Sequence, residues 1–366
     1  MNNSLKQNFD NNTLNYDLNK YNWPEIVLEL IRKKYKSVSS LETIHKTLTH
    51  KEIADVTAMV QQEFLSEKWS IMLDNFAEEY IAPLLKGQKY LIKRQPTLNL
   101  VVPHQSKAGR RLPFHQGIFY DNGRRQGTIW MPLTECYDSN TMYIMDLEKS
   151  RDLTKQVIQE KWSVDEFENH CIEHSFPVVL SPGQAHLFAQ EHIHGNVENQ
   201  TEITRMAIDW HILIEGEEYH RRYPGAFFRL PGDYVQTQSI DSDKNFICYM
   251  SNNSEIDKNI GKHAQRCVVE HYVNGNAIHH NGYQFENEYL THLPIFEHLL
   301  DQNIDGIIVF SLYSIPDRLL KKAIEQNIEV HFANEYMSIK SENDLSKILV
   351  YKNFAVSKKG MLDFEK

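Results

Sequence analysis

The spacing of apolar positions changes twice along the chain. Over residues 23–85 they recur at helical intervals, as in Ile26-Val27-Leu28-Glu29-Leu30-Ile31 and again over 56–64, which predicts a helical segment. Over residues 86–214 they fall into short runs broken by Gly, Pro and Asn. Strands are expected at 98–102, 114–120, 128–133, 141–145, 177–180, 185–188 and 206–213, and many short strands at this spacing predict a sandwich or barrel. A charged and aromatic stretch, 215–234, closes that region, and a linker is expected at 241–244. Strand and helix then take turns. Strands are expected at 246–250, 306–310 and 328–333, and helices at 263–272, 289–300, 318–326 and 342–349, which together describe a small α/β layer domain. Residues 1–20, polar and rich in Asn, read as a disordered tail. The expected division is therefore a tail (1–20), a strand-rich domain with N-terminal helices (21–240) and an α/β domain (245–350).

Composition narrows the classes. A chain of 366 residues exceeds what one core usually organises, in keeping with two domains. Lys plus Arg number 39 against 49 Asp plus Glu, a formal charge of -10, which argues against a general nucleic-acid binder. The four cysteines are Cys136, Cys171, Cys248 and Cys267, widely spread and with no CxxC pair, so they read as reduced thiols. No basic and apolar leader opens the chain, and no apolar run reaches the roughly 20 residues that cross a bilayer. A cytoplasmic protein without a membrane partner is expected.

The chemistry-bearing pieces are Phe114-His115-Gln116-Gly117 and Glu191-His192-Ile193-His194-Gly195-Asn196, the latter followed by Thr204-Arg205. Non-haem iron centres take two imidazoles and usually one carboxylate on one face of the metal, leaving positions open for co-substrate and oxygen. Ligands at i and i+2 of a strand share a side, and a second histidine must then come from a distant strand. An arginine on the following strand suits a bidentate pair with a carboxylate.

The chain resembles the phytanoyl-CoA-dioxygenase-like branch of the Fe(II)/2-oxoglutarate oxygenases, and most of all its members from bacterial carbohydrate-biosynthesis clusters. The residues that carry the likeness are LPFHQG (112–117), IWMPLTECYDSNTMYIM (129–145) and GQAHLFAQEHIHGNVENQTEITR (183–205), within a span of about 70–235. The resemblance implies a double-stranded β-helix (jelly-roll, cupin-like) with Fe(II), 2-oxoglutarate and O2 as cofactor and co-substrates. It maps His115 and His194 to iron and Arg205, with Thr204 beside it, to the co-substrate. It also implies a small-molecule substrate, a sugar or nucleotide-linked sugar.

One position departs from that pattern. The family motif is His-x-Asp or His-x-Glu, and here Gly117 stands third. If the strand continues, Gly117 faces the metal with no ligand to offer. In the related halogenases Ala or Gly stands at this place and a chloride or bromide fills it, so Gly117 marks a halide site by resemblance. Three plainer readings compete: water fills the position and the enzyme hydroxylates, Asp121 or Glu191 reaches in, or the chain is an inactive carbohydrate-binding or scaffold protein.

Other residues weigh less. His192 lies two before His194, but the Gly-Asn that follows favours His194. His104 and His211 read as surface or wall residues, and Trp130 and Tyr143 as core. Arg110, Arg111, Arg124 and Arg125 bracket the first ligand strand, where they would grip a substrate anion or simply face solvent. Cys136 has no adjacent base and no nucleophilic role.

Residues 245–350 resemble a small domain found beside sugar-biosynthesis genes and, distantly, the catalytic domain of serine recombinases, on DGIIVFSLYSIPDRLLKKAIEQNIEVHFANE (305–335). The recombinase pattern needs Ser beside Arg after the first strand. Tyr249-Met250-Ser251-Asn252-Asn253 lacks the Arg. An accessory, docking or substrate-presenting role is expected, or the stabilisation of a homo-oligomer.

Overall fold

The strand Arg205–Ile214 (β10) shows how the first unit is built. Its alternate residues Met206, Ile208, Trp210, Ile212 and Ile214 belong to one large core, whereas Arg205, Asp209 and His211 lie on the other face. A computed structural model describes residues 9–104, 113–120, 125–215, 228–233, 244–251, 255–276, 278, 280–286 and 293–354. The chain divides into two units, one centred on residues 1–222 and the other on 233–355.

In the first unit, Asn12–Asn15 (β1), Tyr90–Lys93 (β2), Thr97–Val101 (β3), Gln126–Pro132 (β5) and Gln184–Ala189 (β8) form one antiparallel sheet with β10. Its order runs β1-β8-β5-β10-β2, with β3 also on β10. The outer face packs on Trp23–Lys34 (α1), Ile44–Thr47 (α2), His50–Glu63 (α3) and Glu67–Phe76 (α4). These helices form where the sequence places caps. Thr49 and Glu52 make a reciprocal capping box at the start of α3, and the Ser66 hydroxyl accepts from Trp69 N–H at the start of α4.

A second antiparallel sheet holds His115–Gln116 (β4), Met142–Ile144 (β6), Phe176–Pro177 (β7) and Ile193–Asn196 (β9) in the order β4-β9-β6-β7. Met142 and Ile144 share a core with Trp130, Phe188 and Ala207 of the larger sheet, so the two sheets face each other. The second sheet's outer side is closed by Leu147–Glu160 (α5) and Val164–His174 (α6) through Leu153, Cys171, Phe114 and Ile193.

Three expectations need correction. The segment 9–20 is part of the fold: β1 pairs with β8, Phe9 and Tyr16 are buried, and Tyr16 N–H donates to Gly183 O. Low hydrophobicity there concealed a few large anchors. The strand expected over 114–120 stops at Gln116, and Gly117–Tyr120 is a 3-10 turn. Helices α5 and α6 occupy a stretch, between the strands expected at 141–145 and 177–180, where no element was expected.

The second unit is a five-stranded sheet of Phe246–Met250 (β11), His280–Phe285 (β12), Gly306–Val309 (β13), Glu329–Phe332 (β14) and Met337–Ile339 (β15), ordered β12-β11-β13-β14-β15. The first four run parallel and β15 is antiparallel. Glu255–Gly275 (α7), Pro294–Leu300 (α8), Asp317–Glu325 (α9) and Glu342–Phe354 (α10) are the helices of this unit, and the strands His280–Phe285 and Met337–Ile339 were not expected from the pattern. In sequence the order reads second, first, third, fourth, fifth, the doubly wound arrangement whose connections reverse direction beside the first strand. Among the described residues, no helix is long and apolar enough to cross a membrane.

Candidate metal centre

His115 and His194 are direct partners across the antiparallel pair β4–β9. Their ring centroids lie 4.3 Å apart. Because His194 also pairs with Ile144, and Ile144 is in the core between the sheets, both imidazoles belong to the inner face of the smaller sheet. Gly195 sits on the reverse side. A Cβ there would come within 2.7 Å of Phe114 Cα and 2.8 Å of Phe114 N, so only glycine lets β9 lie this close to the segment that carries His115.

Each ring is held by the same device. His115 Nδ1 is 2.8 Å from Pro113 O, and His194 Nδ1 is 3.0 Å from His192 O. A carbonyl only accepts, so Nδ1 carries the proton in both rings and Nε2 keeps its lone pair in the neutral form. This is how metal-binding histidines are oriented in general. Burial lowers the His115 pKa, and burial together with the neighbouring His115 lowers that of His194 to about 3. Both rings are therefore neutral donors at pH 7.

Arg205 opens β10 on the inner face of the larger sheet and is 1% exposed. One guanidinium nitrogen donates to Asn196 Oδ1 at 2.7 Å, and the group lies 5.6 Å from the Trp130 ring centre. Its Nε has no partner among the described residues. Asn196 is two residues beyond His194 on β9, so this hydrogen bond links the arginine to the histidine strand. A buried guanidinium without a carboxylate partner is costly, and an anionic ligand would relieve that cost.

No protein-family model matches the chain, and no curated protein matches it significantly. Solved structures similar to it include the non-heme monooxygenase ThoJ in complex with nickel, 15% identical over 66% of this chain and 90% of that one, with a TM-score of 0.35. EctD from S. alaskensis, with 2-oxoglutarate and 5-hydroxyectoine, is 13% identical over 57% of this chain and 74% of that one, with a TM-score of 0.37. SnoN, a non-heme alpha-ketoglutarate-dependent epimerase from nogalamycin biosynthesis, is 12% identical over 57% and 80%, with a TM-score of 0.33. Likenesses this partial leave the chemistry to the residues.

Several expected site residues are placed elsewhere. Thr204 does not join Arg205: its hydroxyl is 2.6 Å from His45 Nδ1 and its N–H donates to Glu42 O, which turns it toward the helical layer. Adjacent residues entering a strand point to opposite faces, and Thr204 serves to anchor β10. Gly117 begins the 3-10 turn, so strand alternation no longer dictates that it faces the metal position. The Glu191 carboxylate is held by Arg151 at 3.0 and 2.7 Å, a bidentate pair that keeps it from completing the centre. His192 is buried, with Nδ1 3.0 Å from Met145 O, and it precedes the strand. Asp121, Arg110, Arg111 and Arg124 lie outside the described residues, and Arg125 donates to Ile214 O. Cys136 is buried and its thiol pKa is pushed up to about 12, in keeping with no nucleophilic role.

The larger sheet's inner face carries polar residues that the sequence reading passed over. Register aligns His186, Trp130 and Asp209 in one cross-strand row, and Phe188, Thr128 and His211 in the next. Asp209 Oδ1 is 2.9 Å from His211 Nε2, and Gln126 bonds His211 Nδ1. His211 is thus no plain wall residue. His186 is buried with neither ring nitrogen partnered among the described residues. The signal was present in β10 itself, where R-x-x-x-D-x-H puts three polar groups on one face of an otherwise apolar strand. Among the described residues no group of three or more His, Cys, Asp or Glu side chains is gathered as a metal site. The donor set fits a two-histidine centre that a bidentate co-substrate would complete.

Proposed function

We propose that the chain is an Fe(II)/2-oxoglutarate-dependent oxygenase whose two facing sheets form a double-stranded β-helix. His115 and His194 hold the metal, and Arg205 holds the distal carboxylate of 2-oxoglutarate. The observation that carries this reading is the cross-strand histidine pair, both rings fixed with Nε2 unprotonated and both on the inner face. When bound, iron with 2-oxoglutarate and O2 supplies the oxidising power to break an unactivated C–H bond.

The protein's own residues do the positioning. The Pro113 and His192 carbonyls fix the ligand tautomers, and Asn196 aims Arg205. Arg205 is almost fully buried, which strengthens charge pairing at the guanidinium. His186, Thr128 and the Asp209–His211 pair offer hydrogen bonds to a polar small molecule. A sugar or nucleotide-linked sugar fits that polarity, and the sequence resemblance points to the same class. Hydroxylation is the leading outcome. Halogenation is the second reading, motivated by Gly117 alone. The second unit is assigned an accessory or substrate-presenting role.

Anaerobic addition of Fe(II) and 2-oxoglutarate tests the proposal. A weak visible metal-to-ligand charge-transfer band is expected, and His194→Ala should remove it while the far-ultraviolet dichroism stays unchanged. A protein that takes up no metal would be read instead as a binding or scaffold protein.

A further inference from the structure

With Gly117 in the third motif position, the ligand strand supplies no anion, and a halide is the obvious candidate to fill the gap. The larger sheet changes that expectation. Asp209 is on the inner face of β10, four residues beyond Arg205 and in one row with Trp130 and His186. The smaller sheet presents His115 and His194 from the opposite side of the same interior. Two contacts tie the sheets at this level. Arg205 bonds Asn196 at the end of the His194 strand, and the Phe188 ring lies 4.7 Å from that of His194. Phe188 is in turn in the row of Thr128 and His211, next to that of Asp209.

We propose that Asp209 carries the negative charge missing from the ligand strand and that it excludes halide from the open coordination position. This rests on the two-histidine reading above. His211 is the carboxylate's near neighbour: Nε2 lies 2.9 Å from Asp209 Oδ1, a contact without hydrogen-bond alignment, and Gln126 bonds the other ring nitrogen. Among the described residues no three-donor group gathers the carboxylate with the two histidines.

A divalent metal and dianionic 2-oxoglutarate are neutral together, and Asp209 is an anion set among the cations Arg205 and Lys93. The Lys93 ammonium is 3.0 Å from Thr97 Oγ1. The Asp209 charge acts on both His115 and His194. A halide arriving beside the histidines would thus meet a carboxylate of like charge between the two sheets, where repulsion is stronger than in bulk water. Oxygen and water, being neutral, would not. The position left open by Gly117 then serves hydroxylation, or another oxidation, rather than halogen transfer.

Cobalt(II) in place of iron, with 2-oxoglutarate and without oxygen, gives a readout independent of turnover. Chloride and azide are titrated against the cobalt d–d absorption in the wild type, Asp209→Asn and Asp209→Glu. The wild type should bind both anions weakly. Asp209→Asn should bind them about tenfold more tightly or better, and Asp209→Glu, which keeps the charge, should stay near the wild type. Equal anion affinity in Asp209→Asn and wild type, with cobalt bound in both, would overturn the inference alone. Loss of cobalt from a folded Asp209→Asn would make Asp209 a ligand and overturn exclusion at a distance. Failure of the wild type to bind cobalt, or retention of the spectrum in His194→Ala, would instead overturn the two-histidine reading and the inference with it.

Discussion

At the scale of the residue, the centre depends on a glycine as much as on its histidines. Gly195 lets the backbone at Phe114 come close enough for His115 and His194 to pair. Gly195→Ala should force the two strands apart and weaken cobalt binding tenfold or more, at about 1.4 kcal/mol per decade, as read by calorimetric titration. Unchanged affinity would show that the strands have room to spare. His115, His194 and Arg205 were singled out by the family resemblance, and the structure pairs the two histidines across β4–β9 and puts Arg205 on the facing sheet. Their metal and co-substrate roles belong to the proposal. Asp209 was not read and His211 was read as a surface or wall residue, because a lone Asp and His inside an apolar run look like tolerated wall residues until the register reveals their shared face. Gly117 was read on the assumption of a continuing strand, and the chain turns there instead.

At the scale of the element, helices and strands with strong periodicity were found close to where they were expected, and β5, β8 and β10 nearly to the residue. Elements stabilised by a few long-range contacts were missed. The segment at Asn12–Asn15 has little hydrophobic pattern of its own, yet it adds a strand to β8 and inserts Phe9 against Gly127, where a Cβ would lie 2.5 Å from the ring. Phe9 is fully buried. Phe9→Ala should cost about 3 kcal/mol, seen as a lower midpoint in urea with an unchanged slope. A cost below about 1 kcal/mol would return this segment to the status of a loose tail. Helices α5 and α6 escaped notice because they cover the small sheet with only a few apolar residues, Leu153 and Cys171 among them, in otherwise polar stretches.

At the scale of the whole molecule, two units with separate cores carry separate sensitivities. In the second, Glu335 is buried against Ser311, the Leu312 N–H and Asn334, and burial raises its pKa from 4.5 to about 7. The unfolded carboxyl ionises near 4.5 while the folded one holds its proton to about 7. The stabilisation is therefore complete below 4.5 and is lost between 4.5 and 7, a change of about 3 kcal/mol. Melting of this unit followed from pH 5 to 8 should fall with rising pH, and Glu335→Gln should flatten the slope. A parallel slope in the variant would remove Glu335 as its source.

The pairing of His115 with His194 has a last consequence, for folding. The two strands that bring them together are two and four residues long, so little backbone bonding secures their register. A bound metal would act there as a removable cross-link, favouring the native chain over the unfolded one by mass action. At a hundredfold excess over its dissociation constant it would add about 2.7 kcal/mol. Calorimetry should then show cobalt raising one thermal transition, that of the first unit, and a chelator lowering it again, while the transition of the second unit stays in place.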